Sequence, residues 1–85
     1  MDSRTTIDLV PWDTLGPAAT PNDLCIFRDA VNRAAEREPA VEDYETEILL
    51  ARNGEPSLLR VVVIGTMRAD VLVERAWNNG KFDAP

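Results

Sequence analysis

Eighty-five residues with 45% hydrophobic and 28% charged content make one globular domain, with no room for a second core. There is no histidine and only one cysteine, which excludes the commonest general base and any intrachain disulfide. A net charge of −6 with a single lysine argues against direct binding to nucleic acid or anionic membrane, since both need clustered positive charge.

Residues Thr5 to Val10 are rich in β-formers and alternate polar and apolar from Thr6 to Leu9, which predicts a strand over 5–10. Pro11 ends it, because proline cannot donate to a ladder. Gly16 and Pro17 make the segment to residue 20 a loop, with Trp12 and Leu15 expected to pin it to the core. Thr20-Pro21-Asn22-Asp23 then predicts a helix start. Thr20 accepts the third amide, Pro21 suits the first turn, and Asp23 returns a carboxylate to the cap. Leu24, Phe27, Ala30, Val31, Ala34 and Ala35 share one side of that helix, predicted over 21–38 and stopped by Pro39. Asp29 and Arg33 are spaced for an ion pair on its outer side.

Asn53-Gly54 between apolar runs predicts a two-residue hairpin turn joining strands 44–52 and 57–65. That register sets Arg52 against Glu55, Ala51 against Pro56 and Glu47 against Arg60. It also places Tyr44, Thr46, Ile48 and Leu50 opposite Val63, Val61, Leu59 and Ser57, on the side expected to face the core. Ala69, Leu72, Val73, Ala76 and Trp77 recur at helical spacing after Thr66, predicting a helix over 67–79 capped by Thr66. A third hairpin strand is the alternative, because Val71-Leu72-Val73 has β character. Lys81 to Pro85 is expected to be a loosely held tail. The resulting fold class is α+β in β-α-β-β-α order, an antiparallel sheet with two helices on one face.

The charge is localised. Six acids between Glu36 and Glu47 face only Arg37, so those residues carry −5 of the chain's −6. Oxygen ligands of this kind suit a hard cation, but the run lacks the Asp/Asn-rich loop and glycine of an EF-hand, and no metal is expected. Cys25 has no histidine to activate it and lies off the apolar stripe, so no catalytic role is assigned. No glycine-rich phosphate loop occurs, and no cofactor is expected. The lone cysteine and the absence of an apolar segment after Met1 predict a cytoplasmic setting, with no signal and no membrane span.

Function is therefore expected in the acidic run. Glu38, Glu42, Asp43, Glu45, Glu47 and Leu49 form the candidate partner-binding set, with Arg60 expected to neutralise Glu47. Such a patch fits a protein partner with a basic surface, such as a nucleic-acid-binding groove that a small inhibitor occupies. The alternative is a structural subunit that self-associates through a sheet edge or the mixed sheet face.

Overall fold

The computed structural model describes residues 3–10, 20–54 and 56–80. Along the chain run β1 (Ser3–Leu9), α1 (Pro21–Glu36), β2 (Val41–Leu50), β3 (Pro56–Gly65) and α2 (Ala69–Gly80). The strands form one antiparallel sheet in the order β1-β3-β2, with both helices packed on one face of this small α+β domain. The expected contacts of Trp12 and Leu15, the Arg52–Glu55 pair and the tail after Gly80 lie outside the described residues.

Each helix buries the stripe its spacing implies. Leu24, Phe27 and Val31 of α1 and Leu72 of α2 are fully buried against Leu59, Val61 and Val63 of the central strand. Phe27 meets Trp77 edge-on at 6.1 Å between ring centroids, which joins the two helices. The helix over 69–80 replaces the alternative of a third hairpin strand.

The ends of the helices depart from the simplest expectation in instructive ways. At α1 the Thr20 amide donates to the Asp23 carboxylate at 2.8 Å, the returning half of a capping box. The helix ends at Glu36, two residues short of the expected 38. Residues 38–41 instead form a turn closed by Val41 N–H to the Glu38 carbonyl at 3.1 Å, with Pro39 in its second position. At α2 the expected Thr66 cap is replaced. The Ala69 amide donates to Thr5 Oγ1 on β1 at 2.7 Å, so a neighbouring strand supplies the missing acceptor. The Thr66 and Met67 amides donate instead to the Ala40 carbonyl at 3.0 and 3.4 Å.

The β2–β3 register holds from Asp43 with Ile64 to Leu49 with Leu58, and includes Glu47 opposite Arg60. It fails at the turn. Gly54 N–H closes on the Ala51 carbonyl at 2.9 Å, so Arg52 and Asn53 are the central residues and Gly54 follows at φ +83°. The shift pairs Leu50 with Pro56 in place of the expected Ser57, and Ala51 lies outside the ladder. Ser57 becomes the extra residue of a bulge, and its hydroxyl donates to the Leu49 carbonyl at 3.1 Å. A second bulge at the start of β2 leaves Glu42 as its extra residue. Here Gly65, at φ +144°, lies so close to β2 that a Cβ would come within 2.2 Å of the Ala40 carbonyl oxygen.

Candidate functional site

Two bulges and one proline turn decide where the acidic run goes. Glu36 and Glu38 belong to the end of α1 and the turn after it; Asp43, Glu45 and Glu47 belong to β2. Because side chains alternate along a strand, those three carboxylates and Leu49 share the sheet face opposite the helices. Successive members of that column are about 6.6–6.8 Å apart along the strand. Asp43, Glu45 and Glu47 are exposed, while Leu49 is half-buried against Leu58.

The expected set is thus not one patch. Glu38 departs from it, since its carboxylate accepts from Arg75 of α2 at 2.9 Å and is mostly covered. Glu36 accepts the Tyr44 hydroxyl at 3.1 Å. Packing partly shields the Tyr44 ring from water, and its hydroxyl donates a hydrogen bond to the nearby Glu36 carboxylate, which favours the neutral phenol; both effects raise its pKa above the ordinary value. Glu42 is exposed at the bulge between the two groups.

On the open face the sheet brings β1 into the site, which sequence periodicity does not reveal. Strand pairing aligns Arg4, Ile64 and Asp43 in one row, Thr6, Val62 and Glu45 in the next, and Asp8, Arg60 and Glu47 in a third. Arg60 stands opposite Glu47 but binds Asp8, with contacts of 2.8 and 3.2 Å to the two carboxylate oxygens. The expected neutralisation of Glu47 is therefore only partial: Arg60 gives its hydrogen bonds to Asp8 and keeps a weaker Coulombic attraction to Glu47. The central strand offers its arginine to both neighbours, and the forked contact goes to the shorter acid on β1. That hydrogen bond holds the Asp8 carboxyl below its ordinary pKa, and Arg60 is raised in return. The expected Asp29–Arg33 pair is likewise replaced, by Arg28 with Asp29 at 3.5 Å.

Across the described face, Asp8, Asp43, Glu45 and Glu47 oppose Arg4 and Arg60, a net charge of −2 concentrated on the β2 side. Arg4, Asp43, Glu45, Val62 and Ile64 line a shallow depression there. Among the described residues, no group of three or more His, Cys, Asp or Glu side chains is placed to hold a metal ion. No helix of the described residues is long and apolar enough to cross a membrane.

Position on the sheet adds a second property. β2 is an edge strand, and the Tyr44 amide points away from β3, donating to Asp43 Oδ1 at 2.9 Å. Amide direction alternates along a strand, so the Thr46 and Ile48 backbone groups point outward as well. On the helix side Thr46 Oγ1 donates to Asn32 Oδ1 at 2.7 Å, which ties α1 to the inner flank of this edge.

Compared with known proteins, the chain matches no protein-family model, no curated protein and no solved structure.

Proposed function

We propose that this protein is a small non-enzymatic binding module that presents its β2 carboxylates to a basic surface of a partner protein. A nucleic-acid-binding groove is the kind of surface that fits, with the module acting as an inhibitor or mimic of the charged backbone. The observation that carries this reading is the column of exposed carboxylates at Asp43, Glu45 and Glu47 on a sheet face over which, among the described residues, no helix lies. Arg60 is occupied by Asp8, so the column's charge is only partly compensated. Carboxylates arranged in this way accelerate encounter and fix register with a basic partner more than they add affinity. Self-association through β2 has less support. An antiparallel copy centred on Thr46 sets Glu45 opposite the second copy's Glu47, and like charges directly opposite destabilise pairing.

The test is capture from lysate by the immobilised protein and by a variant carrying Asp43→Asn, Glu45→Gln and Glu47→Gln. A basic partner held at low salt, released as salt rises and missed by the variant is the expected result. Undiminished capture by the variant sinks the reading.

A further inference from the structure

We infer that the partner is bound as an added strand: the β2 edge takes an extended basic segment antiparallel to itself, extending the sheet from three strands to four. This rests on the acidic-module reading above and specifies the geometry of the contact. Three observations converge on it. First, β2 is ten residues long and lies at the sheet edge, with the outward backbone groups of Thr46 and Ile48 available to a further strand.

Second, the charge on that edge is complementary to a basic strand and hostile to a second copy of this chain. In antiparallel pairing, residues opposite Glu45 and Glu47 occupy the non-hydrogen-bonded sites, where side chains approach most closely. Lysine or arginine at alternate positions of the incoming segment meets both carboxylates, while the copy's own acids repel. Third, the opposite side of the same edge is apolar at its far end. Ile48 is half-buried and Leu50 is 62% exposed, so the intervening residues of the segment cover them beside α1. The Asp43 carboxylate on the Tyr44 amide and the bulge at Glu42 close the near end of the edge. The segment is thereby confined to the stretch from Glu45 to Leu50. The bound strand alternates basic and apolar residues.

The alternation makes the pairing testable with a ten-residue peptide of alternating lysine and valine. In the inferred arrangement its valine amides point at β2 and its lysine amides point away. Binding is measured by fluorescence anisotropy at low salt for three peptides: unmodified, N-methylated at valine amides, and N-methylated at lysine amides. Valine methylation is expected to weaken binding at least about tenfold, through lost backbone hydrogen bonds at unchanged charge. Lysine methylation is expected to preserve it, and hydrogen exchange at Thr46 and Ile48 is expected to slow on binding. Loss with both methylated peptides, or with neither, overturns strand addition. Binding that survives either pattern yet vanishes for Glu45→Gln/Glu47→Gln leaves the acidic-surface reading intact. Failure of the unmodified peptide to bind overturns both.

Discussion

The two halves of the acidic stretch are alike in composition and opposite in situation. Glu36 and Glu38 lie where the chain leaves α1, and each is held, one by the Tyr44 hydroxyl and the other by Arg75. Glu45 and Glu47 stand on the open face, and among the described residues neither forms a direct ion pair. The same residue type thus serves the fold at one end and is exposed to solvent or a partner at the other. The divide falls at Glu42, where Gly65 presses against the start of β2.

The largest effect comes from removing that divide. Gly65→Ala puts a Cβ into the Ala40 carbonyl at a φ that side chains rarely adopt, and is expected to cost about 3 kcal/mol in urea unfolding. A loss under about 1 kcal/mol shows that the junction yields, and that the halves are not rigidly separated. A smaller effect separates the halves directly. Glu38→Gln should cost about 0.5 kcal/mol, because its bridge to Arg75 is partly exposed and worth little more. Glu45→Gln/Glu47→Gln should leave stability unchanged or slightly raised, since it relieves repulsion. If the double variant is the less stable of the two, the comparison fails.

Two pH experiments sharpen it further. Asp8 has its pKa lowered in the fold by Arg60, so its contribution is present above the ordinary value of 3.8 and is lost as pH falls through the folded value. Asp8→Asn should therefore flatten the acid limb of the stability curve, measured between about pH 2 and 5. It also removes one carboxylate from the open face and frees Arg60 for Glu47, and both changes should weaken binding of a basic peptide. Tyr44 has the opposite sign. Its raised pKa gives a contribution present below 10.0 and lost as pH rises through the folded value. The chain has one tyrosine, so ultraviolet titration follows this site alone, and Glu36→Gln should move its midpoint down.

What was legible in the sequence was local. The Thr20–Asp23 start, the apolar stripe from Leu24 to Ala35 and the hairpin register from Asp43 to Leu49 all follow from residues near each other in the chain. Asn53-Gly54 signalled the hairpin, but not that the turn would be centred on Arg52 and Asn53; one residue of slack was absorbed by the bulge at Ser57. Contacts set by strand order were not legible. Placing Asp8 beside Arg60, or Thr5 under the first amide of α2, requires knowing that β1 pairs with β3. For the same reason the acidic run looked like one patch, because nothing local to Glu38 reveals that Arg75 lies beside it.

The strand order also constrains how the chain acquires its structure. The central strand is the last of the three to be synthesised, and β1 pairs with it across some of the longest separations in the chain, Ser3 with Gly65. β2 and β3 close a short loop and are expected to pair first, whereas β1 pairs with β3 across a long separation and is expected to join later, with Ile7 and Leu9 uncovered until then. Pulse-labelled hydrogen exchange during refolding should show β1 amides protected after those of the hairpin. Simultaneous protection would mean that the sheet assembles in one step.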